Sequence, residues 1–240
     1  MRKLLALMCL CLASATGICQ ENPTTKKTDI SANPSDHFML QLASNHWTGE
    51  PDSISRHTGG LNRSANIYLM LDKPFKGNNH FSLAFGLGIG TSSIYFKKMS
   101  VLINSTNAQL PFVNKDSSMR FKKYKLSSSF LEVPIEFRFS SNPAEPSKSV
   151  KAAVGVKIGT MLNSKTKGKT LESSTGQTIS SYTEKIISKK YFNTTRAGAT
   201  ARLGYGNFTA FGTYYFTPVF KDGVAADMKS FQVGLTLSGL

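Results

Sequence analysis

Large apolar residues alternate with small or polar ones along most of this chain, with a period of two. The clearest stretch is 81–96. Phe81, Leu83, Phe85, Leu87 and Ile89 share one parity, and Ser82, Ala84, Gly86, Gly88 and Gly90 share the other. Successive side chains of a strand point to opposite faces, so the alternation predicts a strand; a helix would scatter those large residues around its circumference. The same reading predicts strands over 37–47, 63–71, 124–139, 150–162, 191–205, 208–216 and 229–237. In 208–216 the inward face stays ambiguous, because aromatics occupy both parities.

Eight predicted strands return the C-terminus to the side of the N-terminus, as in bacterial membrane barrels. The connections alternate in length. Residues 48–62, 97–123 and 163–190 are long, and 217–228 is intermediate. Residues 72–80 (with Pro74, Gly77, Asn78 and Asn79), 140–149 (with Pro143 and Pro146) and Gly206-Asn207 are short, turn-rich links. Short turns at one end and longer loops at the other are the asymmetry of outer-membrane barrels.

The N-terminus fits this compartment. Arg2 and Lys3 precede an apolar run from Leu4 to Ile18, too short for an ordinary helical span and laid out as a secretory signal peptide. Cleavage after Cys19, with Gly17 and Cys19 as the small residues, gives a mature start at Gln20; cleavage after Ala15 is the alternative. The three cysteines are Cys9, Cys11 and Cys19, so cleavage after Cys19 leaves a thiol-free protein, without disulfides or thiolate sites. The expected organisation is a signal peptide at 1–19, a polar, flexible periplasmic segment at 20–36 and a barrel domain at 37–240. The expected fold is all-β: an eight-stranded antiparallel transmembrane up-and-down β-barrel.

A membrane barrel turns its bulky apolar face to lipid and keeps glycine, hydroxyls and ions inside. On the inward parity stand Glu132, Glu136, Arg138, Lys151, Lys157, Arg196 and Arg202. Isolated buried ions cost several kcal/mol each, so these residues are expected to pair within a filled, non-conducting lumen. Trp47, Tyr95, Phe96, Tyr124, Tyr191, Phe192 and Phe216 lie next to the long connections and are expected to form an aromatic girdle at the headgroup level.

The formal charge is +15, and without Arg2 and Lys3 it is still +13. Export argues against nucleic acid as the counterpart. Lys97, Lys98, Lys122, Lys123, Lys189 and Lys190, in or beside the long loops, are candidate contacts to lipopolysaccharide phosphates, making outer-membrane lipid the expected partner beside an unidentified envelope protein.

The segment Phe130-Leu131-Glu132-Val133-Pro134-Ile135-Glu136-Phe137-Arg138-Phe139 resembles a strand of the Bacteroidetes-type, PorT-like outer-membrane barrels. Phe85-Gly86-Leu87-Gly88-Ile89-Gly90 and Ala153-Val154-Gly155-Val156-Lys157-Ile158-Gly159 are similar to Gly-rich strands of that family. The resemblance spans about 37–237. It implies an outer-membrane barrel and, for some members, a part in protein secretion. Many such barrels end in Phe; this chain ends Leu237-Ser238-Gly239-Leu240.

Enzyme chemistry finds little support. His37, His46, His57 and His80 have no metal-ligand spacing, and the glycine strings precede no helix that would hold a nucleotide. Ser44 with His46 is the one pair suggestive of a rim-site lipid hydrolase, without a placed carboxylate. No metal or cofactor is expected. The expected role is a structural, adhesive or assembly-scaffold element of the envelope. The alternatives are a secretion-associated PorT-like subunit and a soluble lipocalin-like ligand carrier.

Overall fold

A computed structural model describes residues 38–59 and 62–238. The segments read as signal peptide and periplasmic lead-in lie outside the described residues. Eleven strands follow in order: β1 (Phe38–Thr48), β2 (Arg63–Phe75), β3 (Asn78–Phe96), β4 (Met99–Val101), β5 (Phe112–Asn114), β6 (Arg120–Ser140), β7 (Val150–Glu172), β8 (Thr178–Ile187), β9 (Thr195–Tyr205), β10 (Phe208–Pro218) and β11 (Lys229–Ser238). A single helical turn, α1 (Asp52–Ser55), lies between β1 and β2.

Eight of these strands close on themselves in the order β1-β2-β3-β6-β7-β9-β10-β11, every neighbour antiparallel. Strand β8 is appended to the upper part of β7, and β4 with β5 forms a separate two-stranded ribbon. Followed from strand to strand through the register, Phe38 of β1 comes round to Thr48 of the same strand, a stagger of about ten residues. Eight strands with that stagger tilt by roughly 40° and leave an interior just wide enough for side chains.

Faces sort as a membrane barrel requires. Leu69, Leu87, Val154, Ile158, Leu203 and Leu235 are exposed on the outside, whereas Gln41, Asn66, Glu132, Glu136, Lys157 and Gln232 are wholly buried inside. A lipocalin-like carrier would hold the apolar set within; the arrangement here is the reverse.

Several elements differ from the sequence reading. β6 begins at Arg120, β7 runs to Glu172, and this extension of β7 together with β8 occupies most of the expected third long loop. Above the hydrocarbon layer the outer face no longer meets acyl chains, so the strands continue with Lys alternating against Ser, Thr and Gly, and the apolar signal ends before the strand does. A bulge at Ser129/Phe130 leaves Leu162 as the extra residue of β7, putting Met161 and then Ser164 inside. The predicted strand at 191–205 starts only at Thr195; Tyr191 and Phe192 belong to the cover of the barrel mouth.

Candidate functional site

The interior is built in rows. Glu132 of β6, Gly159 of β7 and Arg196 of β9 are register partners, and so are Arg138, Ala153 and Arg202. The small β7 residue in each row lets side chains two strands apart meet. Arg196 Nε donates to Glu132 Oε1 at 2.8 Å. Arg202 Nη2 and Arg138 Nε donate to Glu136 Oε2 at 2.8 and 3.0 Å. Arg138 also lies 4.0 Å from Asp72 of β2.

Two tyrosines complete the surroundings of Glu132. The Tyr215 hydroxyl donates to Oε1 at 3.0 Å, and the Tyr68 hydroxyl donates to Oε2. Tyr68 lies across Gly88 and Tyr215 across Gly198, their register partners. A Cβ at Gly198 would stand 2.8 Å from the Tyr215 ring, and one at Gly90 would stand 2.7 Å from Arg196 Nη2. The glycines on the inward face therefore make room for the two rings and for the ion pair they serve. Arg196 is sandwiched, its guanidinium 3.8 Å from the Phe130 ring centroid and 4.3 Å from that of Tyr215.

Lys157 stands between the two carboxylates. It donates to Gln41 Oε1 at 2.8 Å and lies 5.0 Å from the Tyr68 ring centroid and 5.3 Å from that of Phe211. Gln41 bonds Thr236, and Asn66 bonds Gln41 and Gln232, extending the polar interior across β1, β2 and β11. Lys151 is buried on the same β7 face nearer the lower end, its register partners being Ser140 and Gly204. Tyr68, Gln41, Asn66 and Gln232 were legible as inward by parity alone. Tyr215 was hidden by the ambiguous face of its strand, and Asp72 by its assignment to a turn.

Above Arg196 the bore meets apolar side chains. Trp47, Phe96, Tyr124, Tyr191 and Phe192 are buried there with Ile103, Leu110, Phe220 and Met228 from the loops. Five of the seven residues expected in an upper lipid girdle thus lie inside, which corrects that expectation. The reason is parity: Trp47 shares the inward face of Gln41 and Asn45, Phe96 that of Ile94, and Tyr124 that of Leu126. Tyr95 and Phe216 do face outward.

Hydrogen bonds tie the loops into one cover. The Tyr191 hydroxyl lies 2.7 Å from the carbonyl oxygens of Ser105 and Asn107. Leu110 N donates to Val224 O at 2.9 Å, and Asn193 Nδ2 donates to Phe220 O at 2.7 Å. A cavity of about 30 Å³, room for a buried water, lies between cover and ion pair, lined by Trp47, Phe130, Arg196, Tyr215 and Ser230 among others.

Four of the six candidate phosphate-binding lysines are engaged within the chain. Lys98 pairs with Asp116 at 3.5 Å and Lys122 with Glu172 at 3.4 Å. Lys189 and Lys190 donate to the carbonyl oxygens of Met161 and Ser105, each at 3.0 Å. Lys97 follows β3, its backbone bonded to His57, and Lys123 is exposed on β6. At the rim Ser44 Oγ and His46 Nε2 are 2.8 Å apart. The nearby Glu50 accepts from Thr58 Oγ1 at 3.0 Å, and burial raises its carboxyl above the ordinary range. Among the described residues no carboxylate is hydrogen-bonded to His46, so the geometry lacks the orienting acid of a hydrolytic triad.

A closed eight-stranded barrel with an apolar outer band, an ionic interior and long loops at one end defines a transmembrane β-barrel of the outer-membrane class. The family model described as "Outer membrane protein beta-barrel domain" matches residues 39–239, and the chain belongs to that family. A search of curated proteins found no significant match.

Proposed function

We propose that the protein is a sealed, non-conducting barrel that serves the outer membrane as a structural element, with its covered upper end as the surface for adhesion or assembly. The observation that carries the reading is the occupied bore. The Glu136–Arg202 and Glu132–Arg196 pairs, Lys157 between them and the aromatic cover above lie one over another. A conducting pore needs a continuous polar path, and an apolar layer of packed aromatics excludes water from it. The many bonds among the four upper loops favour a fixed surface over a gate.

Export by a signal peptide cut after Cys19 is part of the same proposal. The narrower likeness to PorT-like barrels rests on the strand 130–139 and the Gly-rich strands, and a secretory role is not included. Planar bilayers containing the purified protein test the reading. No discrete conductance steps are expected; reproducible steps would overturn it.

A further inference from the structure

The outer faces of β3, β6, β7 and β8 change character with height. On that outward face Ile89 and Leu131 are the last β3–β6 register pair of bulky apolar residues. Thr91, Ser129 and Asn163 form the next row, and Ser93, Ser127, Lys165 and Ile187 the one after. Above these, Tyr95, Lys125, Lys167 and Lys185 are mutual register partners across four strands, followed by Lys123, Lys169 and Thr183. Six lysines therefore share one face of a sheet that continues the barrel wall beyond the lipid band. The opposite face carries Tyr124, Leu126, Ser164 and Thr166, which are buried.

Like charges directly opposite one another across an antiparallel pair destabilise it. Here three lysines stand in one row. Among the described residues none of the six lysines forms an ion pair with a carboxylate. Of the acids nearest in sequence, Glu172 is buried against Lys122, and Glu184, in register with Gly168, lies on the opposite face. Lys125 is held with its ammonium 5.5 Å from the Tyr95 ring centroid, an aromatic at the level where interfacial rings sit.

We infer that this face binds the phosphate groups of an outer-leaflet glycolipid. The inference rests on the outer-membrane reading and goes beyond it by naming residues and ligand chemistry. Two observations select a lipid headgroup over a soluble polyanion. The lysines lie on the outward side of the wall, facing neighbouring lipid. Their lowest member, Lys165, is only roughly 10 Å above the Leu131 row after allowing for strand tilt, within the headgroup layer. Long Lys stems reach both down and sideways from there. The hydroxyl rows below, Thr91 with Ser129 and Ser93 with Ser127, supply the graded polarity that such a headgroup meets.

The test compares the full mature protein, folded in neutral detergent, with the variant Lys125→Gln/Lys167→Gln/Lys185→Gln. The probes are a diphosphorylated acylated glucosamine disaccharide and its dephosphorylated form, with binding read by native mass spectrometry. The wild type is expected to prefer the phosphorylated lipid at least tenfold, and the variant to lose that preference. The corresponding triple Arg variant should retain it, and Lys76→Gln/Lys148→Gln at the opposite rim should leave it unchanged. Without lipid the Gln variant should melt no lower than the wild type, because repulsion has been relieved; added phosphorylated lipid should raise the melting temperature of the wild type alone. Equal binding by wild type and Gln variant, equal binding of the two lipids, or equally tight binding of inorganic polyphosphate would each overturn the inference. Gel mobility of boiled and unboiled samples reports the barrel separately. A heat-shifted wild type with no phosphate preference refutes the lysine site alone, whereas an unshifted wild type refutes the membrane reading and the site with it.

Discussion

Arg196 reaches over Gly159 to donate a 2.8 Å hydrogen bond to Glu132, joining β9 to β6 across the strand between them. Both residues are buried, and Glu132 is wholly so. Replacing Arg196 by Met keeps much of the stem but leaves a buried carboxylate with only the two tyrosine hydroxyls as donors. A destabilisation of about 3 kcal/mol or more is expected, because a buried charge that loses its partner keeps its desolvation cost. Adding Glu132→Gln should recover part of that loss. Urea unfolding of the two singles and the double measures the coupling; strictly additive losses would argue against the pair.

The inward glycines make a second prediction. A side chain at Gly159 would meet Glu132 Cγ at 2.8 Å, whereas a Cβ at Gly212, on the outward face of β10, meets nothing within 4 Å. Gly159→Val is expected to cost about 2 kcal/mol or to block assembly, and Gly212→Ala to stay within about 0.5 kcal/mol of the parent. Heat-dependent gel mobility and urea midpoints separate the two cases. Similar effects at both positions would mean that the inside face is not as crowded as the rows imply.

The cover of the mouth can be opened from one side chain. Phe220 packs on Phe192 with centroids 5.2 Å apart and edge-on to Trp47 at 5.7 Å. Phe220→Ala should remove about 3 kcal/mol of packing, felt by the loops more than by the barrel wall. Faster hydrogen exchange is expected at Leu110, Asn193 and Val219, whose amides donate to loop carbonyl oxygens. Unchanged exchange at these amides would show that the cover does not depend on this aromatic cluster.

Most of the wall was legible in the sequence because lipid imposes a strict rule. Phe81 to Ile89 and Val150 to Ile158 alternate without interruption, since every second side chain must be hydrocarbon there. Above the acyl chains that rule lapses. Lys165, Lys167 and Lys169 alternate with Ser164, Thr166 and Gly168 as regularly as any membrane segment, yet read as a basic loop because no bulky residue marks either face. The cover was illegible for a different reason. Trp47, Phe96 and Tyr124 were assigned by their closeness to long loops, although their parity with Asn45, Ile94 and Leu126 already pointed inward. The partners of Glu132 required knowing which strands are neighbours, which alternation along one strand does not reveal.

Processing after Cys19 predicts a mature protein that begins at Gln20. Residues 20–240 contain no cysteine, so the exported form should take up no maleimide. Intact mass of the membrane-fraction protein checks both. A mass retaining residues 16–19, together with one maleimide adduct, would favour cleavage after Ala15.

The absence of cysteine from residues 20–240 also permits the most direct test of the orientation on which the account stands. Single cysteines at Leu87, Leu203 and Leu235 can carry a nitroxide label in reconstituted vesicles, with Thr213 as an inward reference. The outward three should relax strongly with lipid-soluble oxygen and weakly with a water-soluble nickel chelate. Strong relaxation by the chelate at Leu87, Leu203 and Leu235 would place those side chains in water and contradict the account.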